Sequence, residues 1–450
     1  MVRPRIRYED VRHGVPSPLR GNPSGWRLKE REKSDDSLLT QAREWPEEKL
    51  MRKLILAVAA AALAACTSAE PGGIAQAEPG PPPNAEGQTP AFAGQTRVGR
   101  VSSGVEIDAQ VVAEGLEHPW AIAMLPDARM LVTERPGRLR VITPSGEVSE
   151  PVAGLPAVDA RGQGGLHDVA LSPSFASDRM IYWCYAEPRG EGQNATAVAR
   201  GRLSADATRV ENVQRVFQQQ PAIDSRQHFG CRIVFDRGGL MFVTLGDRGR
   251  TRDLAQDLST HLGKVVRINP DGSVPSDNPF VGRDGVRAEI WSYGHRNIQG
   301  ADLHPETGAL WTMEHGAQGG DELNRPQAGR NHGWPIITYG ENYDGTPVGE
   351  GITQREGMEQ PIYYWDPVIA PGDMDFYRGE LFPWRGDILI AGMASQTLVR
   401  VELEGERVTG EERFELGVGR IRDVTEAADG ALYIVTEEDA GRLLRLTPRS

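Results

Sequence analysis

Four short polar stretches hold the side chains best suited to chemistry. The first reads Gly162-Gln163-Gly164-Gly165-Leu166-His167-Asp168-Val169. The second, Arg226-Gln227-His228-Phe229-Gly230-Cys231-Arg232, precedes an apolar run that ends in Gly246-Asp247-Arg248-Gly249. The third, Tyr293-Gly294-His295-Arg296-Asn297-Ile298-Gln299-Gly300, leads to the stretch from Met313 to Asn324 and on to Asn331-His332-Gly333-Trp334-Pro335. The fourth is Gly419-Arg420-Ile421-Arg422-Asp423-Val424. An imidazole such as that of His228 suits a general base, because its ordinary pKa near 6.5 leaves it largely neutral at working pH. Arginine offers a planar fork to a carboxylate. On a strand, Arg420-Ile421-Arg422 sends both guanidinium groups to one face and Ile421 to the other. Zinc chemistry is set aside: the nine His form no His-Glu-x-x-His motif and the three Cys no Cys-x-x-Cys.

Side chains this scattered along the chain need a scaffold that gathers them. From about Gly104 onward helical periodicity is almost absent. What recurs is a turn rich in Asp and Gly, followed by a short run of apolar and β-branched residues. Six copies are legible, with runs ending at Thr133, Trp183, Thr244, Thr312, Ala391 and Thr436. They lie 50, 61, 68, 79 and 45 residues apart. A four-stranded sheet uses about 40–50 residues, so each interval fits one sheet plus a long loop. The fold class predicted is all-β, a six-bladed β-propeller spanning residues 104–450. A pair of β-sandwiches would also show regular short strands, but gives no reason for one unit to return six times.

Ahead of the propeller the chain changes character. Residues 1–50 mix charges of both signs without apolar period and read as a mis-assigned upstream extension. Met51-Arg52-Lys53 then precedes thirteen residues without a polar side chain, Leu54 to Cys66. That run is short of the roughly 20 residues a membrane span needs and fits a secretory signal. Its end, Leu63-Ala64-Ala65-Cys66, resembles a bacterial lipobox, so residues 51–66 are expected to be a lipoprotein-type signal peptide with Cys66 lipidated. Thr67 after the cysteine points to outer-membrane delivery, with membrane association only through the lipid. Residues 67–103, with Pro81-Pro82-Pro83, are expected to be a tether. The expected location is the periplasm, where Cys184 and Cys231 are free to form a disulfide or stay as buried thiols. A net charge of −13 argues against nucleic acid, which needs clustered Lys and Arg.

Taken together, the four stretches resemble the soluble pyrroloquinoline quinone (PQQ)-dependent aldose and glucose dehydrogenases, the glucose/sorbosone dehydrogenase family. The resemblance runs from about Leu116 to Leu446 and implies the same six-bladed fold. It implies that His228 is the catalytic base for oxidation of an aldose at its anomeric carbon to a lactone. It implies that PQQ, with three carboxylates and two quinone oxygens, is held by Gln163, Arg296, Asn297, Tyr343, Arg420 and Arg422, with backbone from Gly392. It further implies calcium, bound beside PQQ by carbonyls of Gly316 and Ala317, and at a structural site by Glu322 and the His332 carbonyl, with Asp321 adding charge nearby. Electrons would pass to an external acceptor, a cytochrome or a quinone. The loop between Asp344 and Tyr363 is where the choice of aldose would be made.

One departure stands out. Many relatives carry a cofactor-touching Lys in the loop that here reads Gly392-Met393-Ala394-Ser395-Gln396. Its absence at Ala394 implies a weaker hold on PQQ with the arginine set intact. Two other classes compete: a calcium-dependent propeller lactonase or other hydrolase, and a non-catalytic surface-anchored propeller binding glycans or proteins. Neither accounts for the Arg-Ile-Arg pair together with Arg296-Asn297.

Overall fold

The computed structural model describes residues 81–449. The upstream extension, the signal segment and Cys66 lie outside the described residues, as does the first part of the expected tether.

Six antiparallel sheets are arranged around an axis. Blade one has three strands, Pro119–Met124, Met130–Glu134 and Arg138–Ile142. Blade two runs from Leu166–Leu171 to Val210–Gln218, blade three from Gly230–Phe235 to Ile290–Tyr293. Blade four runs from Ile298–Leu303 to Tyr363–Trp365, blade five from Pro371–Phe376 to Arg407–Phe414. Blade six takes Ile421–Glu426, Leu432–Thr436 and Gly441–Pro448 from the end of the chain. Its fourth strand is Ile107–Leu116, which pairs antiparallel with Gly441–Pro448 and closes the ring. The predicted fold is the observed one.

All six repeated turns of the sequence turn out to join the first strand of a blade to its second. The second strands read as unbroken apolar runs because both of their faces are buried. In blade five, Ile388 and Ile390 pack toward blade four, while Leu389 and Ala391 pack toward blade six. In blade three, Met241 and Val243 face blade two and Phe242 faces blade four. Six apolar clusters fill the six gaps between neighbouring blades. Alternation on a twice-buried strand thus fastens each blade to two others.

Every first strand also breaks register with its second near its axial end. Bulges of this kind re-aim side chains and cluster near binding sites. Here the second residues supply Trp120, His167, Gln299 and Arg422 to the axial cavity. The third residues are Ala121, Asp168, Arg232, Gly300, Asp373 and Asp423, and they form the layer beneath it.

Two expectations meet the structure differently. Part of the expected tether, from Asn84 on, lies along the outer strand of blade four. Asn84 N and Ala85 N donate to the Asp366 carboxylate at 2.5 and 3.1 Å. Gln95 is fully buried, with its side chain donating to Pro361 O at 2.9 Å. Several polar atoms of this segment are thus bonded to the propeller, which Pro and Gly content alone could not reveal. Cys184 and Cys231, left open between two states, are paired as a disulfide with Cα atoms 6.1 Å apart, tying blade two to blade three.

That crosslink closes a loop with a sequence separation of 47 residues, and chain-entropy arguments give such a loop about 4 kcal/mol of stabilisation. A Cys184→Ala variant should therefore unfold at clearly lower denaturant, measured by guanidinium titration. An unchanged midpoint would show that the bond contributes nothing.

Candidate active site

One end of the propeller axis opens into a cavity of about 680 Å³, its mouth included. Its walls come from two kinds of place. The beginnings of first strands, with the residues just before them, give Gln163, His228, Arg296, Asn297, Arg420 and Arg422. The residues just after second strands give Arg135, His315, Met393 and Glu437. Tyr343, largely exposed, reaches in from the long loop of blade four. The motif residues share one face because antiparallel strands return to the same end at every second step.

His228 stands on a contorted backbone, with φ of +50° at His228, +69° at Gly230 and +98° at Cys231. Left-handed values are costly for residues with a Cβ and persist only where surroundings impose them. Neighbours from other blades do so here. Gln163 Oε1 accepts from His228 N at 2.8 Å, and Asn297 Oδ1 accepts from Gly230 N at 3.1 Å. Thr196 Oγ1 donates to Phe229 O at 3.0 Å, and the disulfide anchors Cys231. Gln163 and Asn297, expected as cofactor contacts, thus also brace the loop that carries the expected base.

The His228 ring faces Asp247, with Nδ1 2.7 Å from Oδ1. Asp247 is fully buried, and its Oδ2 accepts from Trp334 Nε1 at 2.7 Å. A carboxylate at Nδ1 fixes the proton there and leaves the Nε2 lone pair as the base. Burial, followed by Arg296, lowers the His228 pKa below its ordinary value, while Asp247 opposes them. His167 and His315 also line the cavity, but burial pulls both down to about 3. Their nearest polar partners are backbone carbonyls, of Gln163 and Pro371 respectively.

Positive charge in the cavity is therefore guanidinium charge. Arg296 donates to His315 O at 3.2 Å and lies over the Trp334 ring, 5.3 Å from its centroid. Arg422 donates to Gln299 Oε1 at 2.6 Å and lies 4.3 Å from the Trp120 ring centroid. Burial lowers Arg422 to about 10, which leaves it charged at neutral pH. Arg420 pairs with Glu437 at 3.1 Å. The buried Nε atoms of both Arg296 and Arg422 lack a hydrogen-bond partner. Unmet donors of this kind, beside the further donors of Asn297 and Gln299, fit an oxygen-rich polyanion such as PQQ.

Of the residues expected to hold the cofactor, Gly392 is the exception. It ends the second strand of blade five and does not reach the cavity wall. The next residue, Met393, is the one that does, with Sδ 3.3 Å from Arg422 Nη1. A thioether thus occupies the loop from which the family's Lys is missing.

The four expected metal-binding residues lie behind the cavity wall. Gly316 and Ala317 follow directly after His315. Asp321, expected to lend charge, spends it on backbone: its carboxylate accepts from Gly316 N, Ile369 N and Ala370 N. Glu322 is pushed up to about 8 by burial and then by Glu314, and accepts from Asn324 Nδ2 at 3.0 Å. His332 stacks on His295 with centroids 4.5 Å apart. Among the described residues no three His, Cys, Asp or Glu side chains gather around one point. Calcium sites led by backbone carbonyls do not require such a group.

Asp247, Gln299, Trp334 and Met393 stand within the stretches quoted from the sequence but carry no expected role, and Trp120 stands outside them.

Known proteins resemble this chain over most of its length. The family model for Glucose / Sorbosone dehydrogenase matches residues 116–445, almost the span of the motif resemblance. The aldose sugar dehydrogenase YliI of Escherichia coli K12 is 43% identical over 348 residues, 76% of this chain and 94% of that protein. A crystal structure of glucose dehydrogenase superimposes with a TM-score of 0.74 at 46% identity, covering 76% of this chain and all of the other. The PQQ-bound form of an aldose sugar dehydrogenase from Streptomyces coelicolor superimposes with a TM-score of 0.63 at 27% identity, covering 77% and 99%. With its repeat count, its fold and its motif order all in agreement, the chain belongs to the glucose/sorbosone dehydrogenase family.

Proposed function

We propose that the protein oxidises aldose sugars at the anomeric carbon to lactones, using PQQ and calcium and passing electrons to an external acceptor, a cytochrome or a quinone. The observation that carries this reading is the cavity itself: one neutral imidazole backed by a buried carboxylate, facing guanidinium groups with unmet donors. PQQ, when bound, supplies a quinone that takes up a hydride. His228 Nε2 takes the proton of the anomeric hydroxyl, and the two electrons of the C–H bond leave as that hydride, so the carbon becomes a lactone carbonyl. Asp247 holds the ring in the required tautomer and stabilises the imidazolium that forms. Arg296, Arg420 and Arg422 would orient the cofactor through its carboxylates. Carbonyls of Gly316 and Ala317 would hold calcium beside it, as a Lewis acid. Glu322 and His332 would hold the second ion; Asn324 Nδ2 donates to both Glu314 and Glu322, so two carboxyl groups stand together where a cation would relieve their repulsion.

The same proposal places the protein in the periplasm, anchored through Cys66 with Thr67 directing it to the outer membrane. Cys66→Ala should leave the precursor unprocessed and release it from the membrane fraction, measured by intact mass and fractionation. Unchanged processing and membrane association would overturn the anchoring.

Apo-protein given glucose and an artificial acceptor should turn over only when PQQ and Ca²⁺ are both added, and a chelator should prevent it. Arg422→Ala should raise the PQQ concentration for half-saturation by about tenfold or more, since it removes a charge-assisted fork. Cleavage of a sugar lactone with calcium alone, with no aldose oxidised in the presence of PQQ, would sink the dehydrogenase reading in favour of the hydrolase.

His228→Gln should keep PQQ binding and lower turnover by about 10²–10⁴-fold, the usual worth of a general base. In the wild type the base form is needed, so activity holds above the His228 pKa and falls as pH drops through it. Because burial and Arg296 depress that pKa, the acid limb of kcat/KM should lie below 6.5. A limb well above it would contradict the geometry.

A further inference from the structure

Trp334 belongs to a stretch that chemistry alone left without a task. Its indole is 6% exposed and is absent from the cavity wall. Its backbone is pinned on both sides: Trp334 N donates to Gly294 O at 2.9 Å, and Gln256 Nε2 donates to Trp334 O at 2.7 Å. Ala255, Ala317 and Val348 pack around it. From this seat the side chain makes two contacts of different kinds. The ring N–H donates to Asp247 Oδ2 at 2.7 Å, the oxygen that His228 does not use. The ring itself lies 5.3 Å from Arg296 Cζ.

Both contacts are of consequence. Asp247 Oδ1 already accepts from Gly249 N at 2.7 Å as well as facing His228. Without the indole, Oδ2 would be a buried carboxylate oxygen lacking a partner, and the carboxylate would be free to rotate away from the imidazole. Loss of a hydrogen bond to a buried charge is among the costlier single deletions. An aromatic ring beside a guanidinium adds attraction that strengthens when water is excluded.

We propose that Trp334 is a positioning residue that serves both halves of the reaction: its N–H orients the Asp247–His228 pair, and its ring seats Arg296. Where turnover and PQQ affinity are concerned, the inference rests on the dehydrogenase reading above. The contact with Asp247 does not.

Two substitutions separate the two contacts. Trp334→Phe keeps an aromatic ring beside Arg296 and removes the N–H; Trp334→Leu removes both. In the apo-protein, proton NMR should show the His228 Nδ1–H signal, assigned by its loss in His228→Gln, shifted or lost to exchange in Trp334→Phe. PQQ titration followed by absorbance should leave Trp334→Phe within about twofold of wild type and weaken Trp334→Leu by about tenfold. With saturating PQQ and Ca²⁺, turnover of Trp334→Phe should fall by about 10–100-fold, the worth of a bond to a buried charge. Combined with Asp247→Asn, Trp334→Phe should add little to the loss from Asp247→Asn alone, because both act through one contact. This last comparison stands even if Trp334→Leu does not fold. The proposal is overturned if Trp334→Phe turns over normally with an unchanged Nδ1–H signal. It is also overturned if the two losses multiply, or if Trp334→Phe and Trp334→Leu lose PQQ binding equally. Wild-type protein that binds no PQQ would instead overturn the dehydrogenase reading, leaving the NMR comparison to decide the contact with Asp247.

Discussion

Three carboxylates from three blades reach toward one guanidinium at the centre of the ring. Arg232, from blade three, lies 3.2 Å from Asp168 of blade two, 3.1 Å from Asp373 of blade five and 2.6 Å from Asp423 of blade six. It also donates to Gln299 O of blade four at 2.6 Å. Buried charges are tolerated only when paired and fully hydrogen-bonded, and the loss of one partner is severe. Two of the carboxylates grip backbone as well: Asp168 Oδ2 accepts from Ile233 N and Asp423 Oδ2 from Ile122 N, each in the neighbouring blade. Burial pushes the Asp373 carboxyl up from its ordinary value, against the pull of Arg232. The remaining two positions of the layer are Ala121 and Gly300. At Gly300 there is no room for a side chain, since a Cβ would come within 2.6 Å of Met374 N.

This layer is also the floor of the active site. Arg232 lies on the Trp120 ring, 4.4 Å from its centroid, and Arg422 lies 4.3 Å from the same centroid. The indole is thereby held between a guanidinium that binds the blades together and one that faces the cavity. Bulges in the first strands make this stacking possible, because strict alternation would send consecutive residues to opposite faces. The device that closes the ring and the device that builds the pocket are thus adjacent residues on the same strands.

Such an arrangement explains which features were legible in the sequence. The second strands could be read directly, because burial on both faces leaves an uninterrupted apolar run, as at Ile388–Gly392. The arginines at 420 and 422 both reach the cavity, as alternation across Ile421 leads one to expect, although Arg420 stands just before the strand. Asp247 could not be matched to His228 from spacing, because their meeting depends on where two loops of blade three emerge. Trp334 was further out of reach: 87 residues separate it from Asp247, and only the path of the blade-four loop brings them together. At the end of the second strand of blade five it is Met393, the residue after Gly392, that lines the cavity, a choice set by where the strand stops. The stretch from Asn84 to Val98 reads as a linker because the backbone N–H groups of Asn84, Ala85 and Val98, which donate to the side chains of Asp366 and Tyr363, carry no sequence pattern.

Three imidazoles line the cavity, and physical argument singles out one of them without reference to any motif. Burial pulls all three below the ordinary imidazole value. A base must also be able to accept a proton during the reaction, which requires something to stabilise the resulting cation. His167 and His315 meet only carbonyl oxygens and stand among arginines that repel a second positive charge. His228 alone among the three has a carboxylate at its far nitrogen. That carboxylate is buried, so its attraction for an imidazolium is weakly screened. The same burial that keeps His228 neutral at rest therefore strengthens the contact that lets it take a proton, and the base and its partner cannot be assigned separately.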